Sequence, residues 1–449
     1  HLACVCLLGI ALLGAGACTL FFSFTAPFML IGAAAFLLAG LFLLAVACSP
    51  ALRLRFRMGA WPVATPARLE EIQQALAGSQ PPVAVGEGWG FFISRSSPVP
   101  AAIALRGQWS GQVAWEPASV VRVRSGTLFG ELVRLLWDNG RAAVDRPQFD
   151  QLSVGAAVRT CGHGWFARGW FIDSVIGLSA VERGTGRLLQ VKREDAEFWA
   201  AALGEQFVIT EVSLTSVPNR LMRVQQTVER IRSTEGGAQV VPSNVEWLAS
   251  PFKLMFISGR QVIRKWGTFL PDGDDVSEEV KLTGCDFRCR TIRRHLRIPE
   301  EFNLVDSVAD GHTLIQTIWP VESVVERLAG TLNVELYVAQ SVDWEAAIHP
   351  LARFHAEYGG RTELRERTLN GITVTAFDAI APVGKGFMSC CSSQSQGFLP
   401  WFRMLHTDFG ISSGSLHAGK YLPSTGGPVQ LVPPLEFWPR VAQQPFNSP

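Results

Sequence analysis

Residues 1–52 carry no Asp, Glu, Lys or Arg, and two apolar runs within them, residues 2–24 and 28–48, flank Pro27. Runs of this length each suffice to cross about 30 Å of hydrocarbon at about 1.5 Å per helical residue. Ser23, Thr25 and Pro27 suit a tight turn between them, so the pattern predicts a transmembrane helical hairpin over residues 1–50. One very long helix is the other reading. A signal peptide fits less well, because it normally opens on a basic segment and has a single apolar run. The chain opens on His rather than Met, so its natural start is expected upstream. Arg53, Arg55 and Arg57 follow directly. Such clusters stay cytoplasmic, which predicts a multi-pass membrane protein whose body faces the cytosol.

Beyond the arginines the pattern turns to short alternating strands and amphipathic helices. Thr65-Pro66 reads as a helix start for the run ARLEEIQQALA, which Pro81 and Pro82 stop. The run VAV at 83–85 reads as a short strand that leads into GEGWG, Gly86 to Gly90. A second strand, SVVRVRSG, ends at Gly126. It is followed by a helix whose Leu128, Leu132, Leu135 and Leu136 share a face and which Gly140 terminates. The stretch SVIGLSAVERGTGRLLQV reads as a hairpin with Gly-Thr-Gly at its turn. Later, VELYVAQSVDWEAAIHPLARF predicts a strand and then an amphipathic helix. The fold class expected is α+β.

Composition narrows the function classes. With 48% apolar and 18% charged residues and a net charge of +1, the chain is not a disordered protein and has no general affinity for nucleic acid. Cys4, Cys6, Cys18 and Cys48 fall in the apolar runs. Cys161, Cys285, Cys289, Cys390 and Cys391 form no pair of CxxC motifs, so neither a disulfide framework nor a resident metal is expected. P-loop and HExxH motifs are absent.

Glycine runs at strand ends are weak evidence alone, since a turn glycine is usually only backbone geometry. Their order carries more. A strand ending in VGEGWGFF precedes VRVRSGTLFGELVRLLWDNG, then QLSVGAAVRTCGHG, then FWAAALGEQFVITEVSLTSVP. Over roughly residues 60–218 this order resembles the FAD-binding domain of the PCMH-type (vanillyl-alcohol oxidase) flavoprotein family. Within it the chain looks most like the sugar-1,4-lactone and alditol oxidases, such as D-arabinono-1,4-lactone oxidase.

The resemblance implies a domain order: the hairpin at 1–50, an FAD-binding domain at 51–218, a cap or substrate domain at 219–400, and a segment at 401–449 that returns to the flavin. It implies that Gly86, Glu87, Gly88, Trp89 and Gly90 form the pyrophosphate loop. Gly155, Thr160, Gly162, His163 and Gly164 match the segment beside the flavin, and Val208, Ile209 and Thr210 match the strand near the adenine. Trp89 stands where many members place a flavin-linking His, so the FAD is expected to be non-covalent. His163 reads either as a packed turn histidine or as a lining of the FAD cleft.

In the cap, GGRTELRERT resembles a family segment of the form ExR. Glu363 and Arg365, two apart on a strand, point to one face. They face either a shared cavity or solvent, paired there with Arg361 or Arg367. SGSLHAGKYLP resembles the family's hWGK signature, with Ala418 where Trp is usual, which would return His417 and Lys420 to the flavin; a surface turn is the alternative. Oxidising an alcohol needs a hydride acceptor, a base for the hydroxyl proton and a cation near the reduced flavin. Lys420 or Arg365 suits the charge, and Glu363 or His417 the proton.

Three classes of function remain. The first is a membrane-tethered FAD-dependent oxidoreductase acting on the CH-OH group of a sugar lactone or polyol. The second is a flavin-dependent reductase of a sterol or other membrane lipid, and the third a degenerate flavin-binding protein. The expected partners are a small-molecule substrate and the lipid bilayer. The electron acceptor (dioxygen, cytochrome or quinone) is left open.

Overall fold

A computed structural model of the chain describes residues 62–85, 102–116, 119–145, 147, 152–164, 170–231, 247, 249–250, 252–258, 261–269, 297–299, 331–369, 372–382, 398–417 and 426–443, together with Leu37, Leu38 and Leu41. Those three leucines are helical. The rest of the expected hairpin lies outside the described residues, and among these no helix is long and apolar enough to cross a membrane.

The first lobe opens with strand β1 (Pro62–Ala64), helix α1 (Leu69–Leu76), β2 (Val83–Val85) and β3 (Ala102–Ala104), whose strands pair in parallel in the order β1-β3-β2. Helix α1 buries Ile72 and Leu76, a pair four residues apart on one face. It begins three residues later than its Thr-Pro signal. Position 68 caps it with no side-chain bond, while the Glu71 carboxylate accepts from the Ala67 N–H at 2.7 Å. A carboxylate inside the first turn here replaces the hydroxyl that Thr65 would supply.

Next come β4 (Gln112–Glu116), β5 (Val120–Arg124), α2 (Phe129–Asp138), β6 (Arg141–Ala143) and α3 (Val154–Arg159), then β7 (Val175–Glu182), β8 (Leu188–Lys192), α4 (Phe198–Leu203) and β9 (Phe207–Arg230). The β7–β8 hairpin forms as its sequence predicts, with Gly184 at φ 91° and Gly186 at φ 70° making the turn. Helix α2 buries Phe129, Leu132, Val133 and Leu136. The buried face is thus rotated from the expected one, because Phe129 and Val133 take the places of Leu128 and Leu135. Each fully buried side chain of this kind stabilises by about 1.5–3 kcal/mol.

The cap sheet adds β10 (Phe252–Ser258), β11 (Gln261–Phe269), β12 (Arg297–Pro299), β13 (Thr331–Val338), α5 (Trp344–Tyr358), β14 (Arg361–Leu369), β15 (Ile372–Pro382), α6 (Leu399–Phe409), β16 (Ser413–Leu416), β17 (Gln430–Leu431) and α7 (Pro434–Gln443). These strands continue a sheet that runs through both lobes, in the order β17-β16-β13-β15-β14-β10-β11-β9-β5-β4. The 24-residue strand β9 joins the lobes, pairing with β5, β6 and β7 as far as Pro218 and with β11 from Met222. Position 218, the expected domain boundary, therefore lies inside one continuous strand.

Strand alternation divides the cap sheet into two faces. Val334, Leu336, Val338, Leu364, Phe377, Ala379, Met255 and Ile257 join the apolar core under α5 and α6. Leu254, Phe256, Tyr337, Val374 and Ala376 instead join the core of the first lobe. The polar positions of that second face define the site.

Candidate flavin site between the lobes

Glu335 and Tyr337 on β13, Glu363, Arg365 and Arg367 on β14, and Asp378 on β15 share the parity of the face turned to the first lobe. Register sets Glu335 opposite Asp378, and Asp378 opposite Glu363, so three carboxylates stand in one row across three strands. The next row is Tyr337, Ala376 and Arg365. All six ionisable side chains are buried.

From the first lobe, helix α3 delivers His163. Ser153 caps the helix with its hydroxyl on the Ala156 N–H, and Thr160 ends it with its own hydroxyl on the Ala156 carbonyl. Cys161 then takes a left-handed φ of 48°, and the Gly162 N–H returns to the Ala157 carbonyl at 2.7 Å. That reversal turns His163 across the lobe boundary, while the Gly164 N–H donates to Asp145 Oδ2 at 2.9 Å.

His163 Nε2 lies 2.7 Å from Glu335 Oε1, and Arg365 Nη1 lies 2.6 Å from His163 Nδ1. Arg365 also pairs with Glu363. Around the imidazole stand Trp170, Tyr337 and His417, with ring centroids 5.3, 6.0 and 6.0 Å away. Trp438 of α7 packs on Trp170 and Tyr337, and the Arg367 guanidinium lies 5.1 Å over the Trp170 ring. Burial holds the His163 pKa well below the ordinary value, Glu335 opposes, and the Arg365 and Arg367 charges add to the lowering. Burial likewise pushes the Tyr337 phenol far up and the Arg367 guanidinium down to about 10.

The residues expected from the sequence fall into three groups. The structure brings Glu363, Arg365, His163 and His417 together, and the Glu363–Arg365 pair faces the lobe boundary rather than solvent. Gly155, Thr160, Gly162 and Gly164 shape the turn that carries His163. A Cβ on Gly155 would stand 2.8 Å from the Ser125 Cβ, so this helix packs directly on the 125–126 turn. Val208, Ile209 and Thr210 lie buried in β9, where the Thr210 hydroxyl donates to the Ser179 carbonyl and the Thr210 carbonyl accepts the Ser125 N–H. Gly86, Glu87, Gly88, Trp89, Gly90 and Lys420 lie outside the described residues. Glu335, Tyr337, Arg367, Asp378, Asp145 and Trp170 are additions that sequence reasoning missed. The period-2 parity with Glu363 and Arg365 was the available signal for Arg367; strand pairing gives Glu335, Tyr337 and Asp378, while Asp145 and Trp170 enter only through the folding of the first lobe around His163.

Several buried polar atoms at this boundary have no hydrogen-bond partner among the described residues: Trp170 Nε1, Tyr337 Oη, Arg365 Nε, Arg367 Nε and Nη2, and Ser415 Oγ. Native interiors leave few such atoms without a partner. A planar ligand with its own carbonyls and N–H groups would satisfy them, and two guanidiniums suit a ring that becomes anionic on reduction.

The family model described as "FAD binding domain" matches residues 62–192. The chain carries an FAD-binding domain. A search of curated protein sequences finds no match. Among solved structures the chain is similar to a solvent-stable cholesterol oxidase, with a TM-score of 0.56 and 14% identity over 82% of this chain and 85% of that one. It is similar to the cholesterol oxidase from B. sterolicum at a TM-score of 0.57 and 12% identity, again over 82% and 85%. At such identities the likeness is one of fold alone. The orphaned atoms above lie where the cap sheet faces the FAD-binding domain.

Proposed function

We propose that the chain is a membrane-anchored, FAD-dependent oxidoreductase that oxidises the CH-OH group of a polyhydroxylated substrate, of the sugar-lactone or polyol class. The observation that carries this reading is the buried row of Glu335, Asp378 and Glu363 beside Arg365, Arg367 and His417. Such a wall offers several acceptors and donors to a substrate with several hydroxyls. FAD, when bound, supplies the two-electron acceptor that the oxidation requires.

The chain's own residues have three tasks. Glu363 takes the hydroxyl proton, with Arg365 compensating its charge. Arg365 and Arg367, with Lys420, offset the negative charge that develops as the alcohol is oxidised. Trp170, Tyr337 and Trp438 exclude water from the wall, which strengthens each of these charges. Gly86, Glu87, Gly88, Trp89 and Gly90 are assigned to the pyrophosphate, and the FAD is held without a covalent bond. Residues 1–50 anchor the chain, and the arginines after them favour a body on the cytosolic side.

A second reading, a sterol or other lipid alcohol as substrate, is favoured by the cholesterol oxidases of similar fold together with the apolar N-terminal runs. Anaerobic mixing of the flavin-loaded protein with sugar lactones, polyols and cholesterol separates the two. Bleaching of the flavin band by lactones or polyols supports the first reading, and bleaching by cholesterol alone supports the second. A flavin that only NADPH bleaches would point instead to a reductase.

A further inference from the structure

His163 stands between one partner that only donates and another that accepts. A guanidinium has no acceptor, so the 2.6 Å contact from Arg365 Nη1 requires a lone pair on His163 Nδ1. The single proton of a neutral ring then sits on Nε2 and is donated to Glu335 Oε1 at 2.7 Å. The Gly164 carbonyl, 3.3 Å from Nδ1, would favour the opposite tautomer, but it is the longer contact. Burial and both arginines keep the ring neutral. Glu335 is anchored in its turn, because its backbone carbonyl accepts the His417 N–H at 3.0 Å.

We infer that Glu335 is a positioning residue: acting through His163, it fixes the Nε2–H tautomer and so holds Arg365 against Glu363. Without an acceptor at Glu335, the Nε2–H would lose its hydrogen-bond partner in a buried setting. Moving the proton to Nδ1 would relieve that, but it would set an N–H against the guanidinium and expel Arg365 from Glu363. The same geometry opposes a metal, although His163, Glu335 and His417 offer ligand atoms within 4.8 Å of one another. A cation on Nε2 would need the ring proton on Nδ1, where Arg365 stands. The inference rests on reading this boundary as the flavin and substrate wall.

The test uses the full chain in detergent, loaded with FAD and labelled with ¹⁵N at its eight histidines, with His163 assigned by its loss in His163→Gln. The wild type should show a neutral ring with the proton on Nε2 throughout about pH 6–8, where an ordinary histidine titrates. Glu335→Leu should keep its FAD, give mixed tautomers and reduce its flavin about 10²-fold more slowly, the scale of a misplaced catalytic group. Glu335→Gln still offers a carbonyl to Nε2–H and should restore both the tautomer and most of the rate. An Nδ1–H or doubly protonated ring in the wild type would overturn the inference. So would a rate loss in Glu335→Gln as large as in Glu335→Leu, since Glu335 would then exchange a proton with the reactants. Zinc shifting the His163 and His417 signals together would overturn it in favour of a metal site. If no alcohol reduces the flavin, the proposed reaction fails, while the tautomer in wild type and Glu335→Leu still decides how Arg365 is held.

Discussion

His355→Gln should flatten the acid side of the protein's stability profile. His355 is buried at the end of α5, where its Nδ1–H donates to the Gly359 carbonyl at 2.9 Å and its Nε2 accepts from the Thr362 hydroxyl at 2.7 Å. That bond pins the start of β14, one residue before Glu363. Burial lowers the ring's pKa from 6.5 to about 4, against a smaller opposing pull from the Gly359 carbonyl. A base with a depressed folded pKa binds its proton more readily in the unfolded chain. Its contribution is therefore complete above about pH 6.5 and lost as pH falls toward about 4. With those two values the linkage relation gives a loss of about 2 kcal/mol between pH 8 and pH 5, and about 3 kcal/mol at the acid limit. Glutamine can donate to Gly359 and accept from Thr362 without titrating. Denaturant unfolding of the wild type and His355→Gln at pH 8, 6.5 and 5 should therefore show curves that converge by about 2 kcal/mol toward pH 5. Curves that stay parallel would refute the assignment of a buried neutral imidazole at this position.

Three other outcomes follow from the same geometry. Acid precipitation should release free FAD, because both His163 nitrogens are engaged and burial drives the Cys161 thiol far up, leaving little thiolate to form a link; flavin retained on the polypeptide would show otherwise. Deleting residues 1–50 should give a body that stays in solution without detergent and keeps its flavin; aggregation would mean that a further surface meets lipid. Gly126→Ala should destabilise by about 1–3 kcal/mol in thermal unfolding, because a Cβ there would stand 2.4 Å from the Leu105 carbonyl oxygen and 2.6 Å from that of Trp109; unchanged stability would mean that the 105–110 turn yields freely.

Much of the first lobe was legible because its signals are local. The β7–β8 hairpin is written in its Gly-Thr-Gly turn, and α2 in its apolar spacing and Gly140, although the face it buries is set by Phe129 and Val133 rather than by Leu128 and Leu135. The start of α1 was misread because Thr65-Pro66 mimics a cap, while the working contact comes from Glu71 inside the helix. In the site, Glu363 and Arg365 were readable from their i, i+2 spacing on a strand. Glu335 was not, because its membership depends on β13 pairing with β15, a segment far along the chain, and Asp378 was not, because its place opposite Glu363 depends on the register of the β14–β15 hairpin. His163 was singled out by its place in the CGHG run, but its partners are 172 and 202 positions away. No local pattern encodes contacts of that separation.

The central claim is that Glu363 and Arg365 form the reactive wall of a flavin-dependent alcohol oxidation. Its most direct test is single-turnover reduction of the bound flavin, without oxygen, by a lactone or polyol that bleaches the wild type. Glu363→Gln should retain the bound-flavin spectrum and reduce about 10²–10³-fold more slowly, as should Lys420→Met, since each removes one charged contact with the reacting centre. Reduction of both variants at the wild-type rate would contradict the account and move the reacting wall away from β14.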